Sequence, residues 1–322
     1  MKRVYGVLVV AALLQSGCVL NFGPFRGPEP LREKRVLGDS GPKIAMIEVS
    51  GLISQGERSS PLGIRRPSLV ARTREALDRA AEDDGVAAVL LRVNSPGGTV
   101  AASETLHHEV LLWKEKTGRP VVAYFDGIAA SGGYYVAMAS NEVIAHPTAI
   151  TGSIGVIMSG INLSGLLERF GIEDQSFTSG LFKDSGSPLR KMRPDERTHF
   201  EGIVDDLHER FREVVVNGRP GLDAARVDEL ADGRIFTARQ AAELGLVDRI
   251  GHLDQAVEAL EQRLGVNESR LVVYRRPDEY RDNVYTKSGG GTVQLVDIDL
   301  LPFELSPLEP GFYYLWPPAR VR

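Results

Sequence analysis

The sequence holds a single cysteine, Cys18, so no disulfide within the chain and no cysteine-built zinc site can form. It also lacks an excess of positive charge: 43 acidic side chains face 38 basic ones, for a formal charge of −5, and no basic cluster interrupts the balance. Nucleic-acid binding is therefore not expected, because the phosphate backbone is held by concentrated Lys and Arg. Neither the phosphate-loop pattern G-x-x-x-x-G-K-[ST] nor the dinucleotide pattern G-x-G-x-x-G occurs, which argues against nucleotide binding, and neither a cofactor nor a metal is expected. No internal repeat is visible. What remains is ordinary globular usage, 43% hydrophobic and 25% charged over 322 residues, enough for one large or two modest domains with a buried core.

The lone cysteine stands at a telling place. Lys2 and Arg3 begin the chain, an apolar run centred on Val7 to Leu14 follows, and the small residues Ser16 and Gly17 immediately precede Cys18. A basic start, a run too short to span a bilayer comfortably and small residues before a cysteine read together as an export signal. The arrangement resembles a bacterial lipoprotein signal in which Cys18 becomes the lipidated first residue. Gln15 departs from that pattern, which usually has Leu three residues before the cysteine, and an uncleaved anchor is the alternative. Loss of Lys2 and Arg3 leaves an acidic body, so a membrane would be held through lipid or apolar contact and not by charge. The expected organisation is a signal over 1–17, a lipid-anchored tether over 18–42, a folded body over 43–285 and a C-terminal tail over 286–322.

Within the body, IAMIEVSG (44–51) and VAAVLLRVN (86–94) are short β-branched apolar runs of the kind that form strands buried on both faces. An amphipathic helical pattern lies between them, through Leu69, Val70, Ala76, Leu77 and Ala80. Alternation continues with a helix over about 99–116, a strand PVVAYF, a short helix over about 132–139 and a strand VIAHP, which predicts an α/β fold with largely parallel pairing. Pro194 suits the first turn of a long helix reaching about Asn217, while Thr237 and Gly245 suit the start and stop of another. The tail carries SGGG, several prolines and the aromatic cluster Phe312, Tyr313, Tyr314 and Trp316, which either packs on its own domain or meets a neighbour or a membrane.

Two glycine-rich loops, RVNSPGGTV (92–100) and DGIAASGGYYVA (126–137), follow predicted strands, the position at which open α/β sheets place their sites. Paired glycines also suit an oxyanion hole, where backbone N–H groups must approach developing negative charge. Ser131 lies among Ala129, Ala130, Gly132 and Gly133, just before a predicted helix. It is either a nucleophile, with the Gly132 N–H beside it, or a helix N-cap. A nucleophile needs a base. The six histidines, at 107, 108, 146, 199, 208 and 252, show no evident orienting carboxylate. Lys183 is the other candidate, on a loop between Gly180, Gly186 and Pro188 and flanked by Leu181 and Phe182. An ordinary lysine is only about 0.04% neutral at pH 7, so serving as a base requires burial at a cost of roughly 4 kcal/mol.

In order along the chain, VNSPGGTVAASE, DGIAASGGYYVA, ITGSIGVI, GLFKDSGSPLRKM and GRIFTARQAAELGLVDRIG resemble the SppA-type signal peptide peptidases, serine-lysine proteases of the Clp/crotonase-like fold with its repeated ββα units. The resemblance spans about 44–264 and is to the shorter, single-domain bacterial form. It implies Ser131 as nucleophile, Lys183 as general base, and the N–H groups of Gly97 and Gly132 as oxyanion hole. Ser153, in TGSIGV, is a candidate for orienting the Lys183 amine. The resemblance further implies peptide substrates such as cleaved signal peptides, with small or apolar residues at the cleavage site. It also implies a homo-oligomer in which Lys183 acts on its own chain or a neighbour's, and an exported domain anchored at the bacterial cell envelope. Two other functions share parts of the pattern: a crotonase-like acyl-CoA enzyme, and an inactive membrane scaffold of the same fold.

Overall fold

The computed structural model describes residues 30–56, 58–59, 65–276 and 311–316. The expected signal, Cys18 and most of the expected tail lie outside them. The chain folds into a mixed α/β body around a mostly parallel sheet in the order β1-β13-β2-β5-β7-β8-β12. These strands are β1 (Arg32–Leu37), β2 (Lys43–Ser50), β5 (Val86–Ser95), β7 (Val121–Ala130), β8 (Glu142–Ala145), β12 (Arg249–Ile250) and β13 (Arg270–Arg275). β9 (Ile150–Gly152) pairs with the end of β7 and with β11 (Ile235–Thr237), while the short β3 (Arg58–Ser59) and β4 (Arg65–Arg66) pair with each other. The architecture is the Clp/crotonase-like fold.

The central strands read as unbroken apolar runs because both faces are covered. Ile44, Met46, Ala88, Leu90, Val122, Tyr124 and Ile144 face Leu253, Ala256, Val257 and Leu260 of helix α8 (Leu253–Leu264). The alternate residues Ala45, Ile47, Val49, Val89, Leu91, Val93, Ala123 and Phe125 face the other helices, α1 (Leu69–Glu82), α2 (Val100–Thr117) and α3 (Gly132–Ala137). Each large side chain removed from water in this way contributes roughly 2 kcal/mol, so the period-two division secures the register of every strand.

Local chemistry sets the helix limits. The Ser68 hydroxyl accepts from the Ala71 N–H at 3.1 Å to start α1, and Gly118, in the left-handed region, ends α2. Pro194 opens the 25-residue helix α5 (Pro194–Gly218), after the short α4 (Ser164–Arg169). Ala224–Leu230 forms α6, and Thr237 and Gln240 make a reciprocal capping box for α7 (Ala238–Glu243).

Two features depart from the organisation expected from sequence. Residues 32–37, placed in the tether, pair antiparallel with β13 as an edge strand, and Arg32, Lys34 and Arg35 keep that edge charged. The other is a second sheet. It has the order β10-β14-β6 and joins β10 (Ile157–Ser159) and β6 (Gly97–Thr99) through β14 (Gly311–Leu315) from the tail. The aromatic tail cluster thus packs on its own domain. Among the described residues, no helix is long and apolar enough to cross a membrane.

Candidate active site

Ser131 sits between the end of β7 and the start of α3, at φ 53°, a left-handed conformation uncommon for a residue with a side chain. Two backbone bonds enforce it: its N–H donates to the Gly152 carbonyl at 2.7 Å, and its carbonyl accepts from the Tyr135 N–H at 2.9 Å. It occupies the N-cap position of α3, yet its hydroxyl makes no capping hydrogen bond. The Oγ is buried and has no hydrogen-bond partner among the described residues. A buried hydroxyl left unpaired costs about 1–3 kcal/mol, so this serine is held where it weakens the fold.

Gly97 and Gly132 come together beside it. A Cβ added to Gly132 would stand 3.2 Å from the Gly97 Cα and would overlap the Ser103 hydroxyl, while one added to Gly97 would reach the Gly132 nitrogen at 2.7 Å. Gly97 also has φ +103°, so both positions exclude a side chain. The Gly97 N–H donates to the Ser95 hydroxyl at 3.1 Å, and Ser95 in turn donates to the Gly51 carbonyl at 2.7 Å. Ser153 lies one residue after the carbonyl that binds Ser131. It too has φ 53°, is largely buried, and donates its N–H to the Arg234 carbonyl at 2.7 Å.

Lys183 does not join this group within one chain. It lies in the turns that follow Gly180 and is exposed; the burial that a lysine base requires is absent there. The turns themselves are firmly tied. Arg190 donates to Asp184 at 2.6 Å and to the buried Glu196 at 3.0 Å, and Arg193 meets Glu196 at 2.7 Å. The Arg190 hydrogen bonds outweigh burial and hold the Glu196 carboxyl down at about 2.

Residues that sequence reasoning passed over line the same region. Tyr135, one helical turn beyond Ser131, donates its hydroxyl to Glu104, which also accepts from Arg210 of α5 at 2.8 Å. Although burial opposes it, those bonds keep Glu104 below the usual carboxylate range. The Tyr135 ring meets Phe211 at 4.9 Å and His107 at 5.3 Å, and burial brings the His107 imidazole down to about 4, so it is neutral at physiological pH. The helical spacing of Tyr135 from Ser131 was the one cue available in the sequence. A cleft of about 680 Å³ opens alongside, lined by Thr99, Glu104, Leu207, Arg210, Phe312 and Tyr313.

A strained, buried serine beside two glycines that exclude side chains, on this α/β fold, defines a serine hydrolase of the Clp/crotonase-like class. Residues 114–267 match the profile of peptidase family S49. A protein of Enterococcus faecium named as a candidate signal peptide peptidase SppA is 38% identical over 238 residues, 74% of this chain and 68% of its own length. A Synechocystis protein named as a candidate protease is 42% identical over 214 residues, covering 66% of this chain and 72% of its own. The chloroplastic serine protease SPPA of Arabidopsis thaliana is 30% identical over 268 residues, 81% of this chain but 39% of its own length. The chain belongs to peptidase family S49 and is a serine peptidase.

Proposed function

We propose that Ser131 and Lys183 form a Ser-Lys dyad that hydrolyses remnant signal peptides and other apolar or unfolded peptides. The observation that carries this reading is the Ser131 Oγ: buried, strained into place and without a hydrogen-bond partner among the described residues. The neutral Lys183 amine takes the hydroxyl proton as Oγ bonds to a peptide carbonyl carbon. The resulting oxyanion is met by the N–H groups of Gly132 and Gly97, the latter exchanging its long bond to Ser95. Collapse breaks the C–N bond and Lys183 returns the proton to the leaving amine. Water then attacks the acyl ester and gives a proton to the lysine, which passes it to the Ser131 Oγ as the ester C–O bond breaks; the product acid leaves and ionises. Ser153, beside the serine's backbone anchor, orients the amine.

The base comes from a second copy of the chain. The segment carrying Lys183 exposes the large apolar side chains Leu166, Phe170, Ile172, Phe177, Leu181 and Phe182, which a neighbour would cover. Packing that surface on a neighbour would bury the lysine as a base requires. The start of the sequence supports export and lipid anchoring through Cys18 at the bacterial cell envelope. Family membership leaves no role for acyl-CoA binding. The test compares the full chain with Ser131→Ala and Lys183→Ala on an internally quenched apolar peptide. Each variant should lose at least about 10³-fold in kcat/KM. Undiminished cleavage by either would overturn the dyad, and undiminished turnover by Ser153→Ala would remove that residue's role.

A further inference from the structure

The two strands that lead into the active site keep different counts. β5 and β7 run parallel and in step from Val89 opposite Val121 to Val93 opposite Phe125, and the next pair is Ser95 with Ala129. Asn94 alone thus spans the length that Asp126, Gly127 and Ile128 take on β7, a bulge of a kind rare between parallel strands. An even register would set Gly97 opposite Ala129, with Ser131 two residues, or roughly 7 Å, beyond it. The surplus draws Ser131 back to the level of Gly97, where a Cβ on Gly97 would reach the Gly132 nitrogen at 2.7 Å. It is also where β7 exchanges neighbours, from β8, with Phe125 opposite Ala145, to β9, with Ile128 opposite Ile150.

Three side chains engage this surplus. The Asn94 Oδ1 accepts from the Ile128 N–H at 3.2 Å, and a Cβ on Gly127 would press on the same oxygen at 3.2 Å. The Arg92 guanidinium, 4% exposed, donates to Asp126 at 2.7 Å and lies 3.6 Å from Glu48 of β2. The Asn94 backbone is anchored in turn: its carbonyl accepts from the Gly51 N–H at 3.0 Å, and the Gly51 carbonyl accepts from the Ser95 hydroxyl at 2.7 Å.

We propose that Asn94, backed by the Arg92–Asp126 pair, is the positioning residue for the nucleophile: it holds the surplus length of β7 that brings Ser131 level with the oxyanion-hole glycines. The inference rests on Ser131 as the reacting group. Asn94 acts through the Ile128 N–H, three residues before the serine, and not on the substrate. The charge pair behind it gains little net stability, because desolvation offsets the attraction; its contribution is to fix where Asp126 lies. Without the Asn94 acceptor the bulge relaxes and Ser131 slides along β7 relative to Gly97, and a displacement of about 1 Å between reacting groups slows a reaction by about 10²-fold. Substrate affinity does not pass through the bulge, so kcat falls and KM stays.

Steady-state cleavage of the internally quenched apolar peptide by the full-length chain tests this. Asn94→Ala should lower kcat by about 10²-fold with KM unchanged, whereas Asn94→Asp, which keeps an oxygen for the Ile128 N–H, should recover most of the loss. Gly127→Ala, which crowds that oxygen from the other side, and Asp126→Asn should each lower kcat several-fold; they carry the test if Asn94→Ala fails to fold. Leu90→Ala, a core void on the same strand, weakens the fold without touching the bulge and should leave kcat unchanged well below its melting temperature. Wild-type kcat in Asn94→Ala, Asn94→Asp no better than Asn94→Ala, or a loss of kcat in Leu90→Ala as large as in Asn94→Ala would each overturn the proposal. Cleavage that survives Ser131→Ala would instead sink the nucleophile assignment on which it rests, whereas full loss in Ser131→Ala with full kcat in Asn94→Ala would sink the positioning role alone.

Discussion

Two inactive variants should restore activity to each other. Ser131→Ala keeps the lysine and Lys183→Ala keeps the serine, so in a ring of copies a site is intact wherever a Lys183→Ala chain receives its lysine from a Ser131→Ala neighbour. Random assembly of equal amounts makes about one site in four intact, and activity should peak at equal proportions. The surface proposed to join the copies sets the second magnitude. Phe170 is 72% exposed and Phe177 100%. At roughly 2 kcal/mol for each large apolar side chain, their removal costs about 4 kcal/mol, near 10³-fold in the dissociation constant. The assay co-expresses the two variants under different tags, purifies through both in succession and measures peptide cleavage per protein. A Phe170→Ser, Phe177→Ser background should abolish the recovery and shift the protein to smaller species in analytical ultracentrifugation. Recovery that never rises above either variant alone, while Lys183→Ala by itself is inactive, would refute a shared site and place the dyad within one chain.

Three further outcomes follow from the geometry. Gly97→Ala forces a Cβ into the Tyr314 carbonyl and against the Gly132 nitrogen at a φ that disfavours side chains, and should lower kcat by about 10²–10³-fold with far-UV circular dichroism unchanged; wild-type kcat would sink the oxyanion assignment. Leu90→Ala opens a void between β5 and α8 and should cost about 3 kcal/mol in urea denaturation, whereas a loss under 1 kcal/mol would show that the sheet face is not close-packed there. Burial brings His107 down to about 4 from an unfolded value near 6.5, so the unfolded chain binds the extra proton first. Stability from this residue is present above about pH 6.5 and is lost as pH falls toward 4, by about 3 kcal/mol in all. His107→Phe should flatten that part of the stability profile, and an unchanged profile would show that the imidazole is not what titrates.

Much of the body was legible because its signals are local. The runs at 44–51 and 86–94 lie within a residue of β2 and β5, since strands covered on both faces need apolar residues at every position. Thr237 and Gly245 marked the limits of α7 through chemistry confined to a few residues. β1 escaped notice because an edge strand written REKRVL carries the charges of a tether. The pairing of β14 with β6 escaped because it depends on residues more than 200 positions apart. At the site, the sequence left Ser131 divided between cap and nucleophile. The hydroxyl makes no capping bond and the residue has a φ of 53°, and neither fact leaves a trace in composition. Leu181 and Phe182 beside Lys183 made burial of the amine possible, but those neighbours are themselves exposed, and apolar residues reveal that they need a cover without revealing whose.

The place between β6 and β10 accepts a strand by both of its edges at once. A segment already hydrogen-bonded inside a folded protein has at most one edge to spare, and a helix has none. Whatever fills that place must therefore be free of other pairing along both edges, as β14 is. A folded domain cannot supply such a segment, whereas an unpaired stretch of the chain itself does.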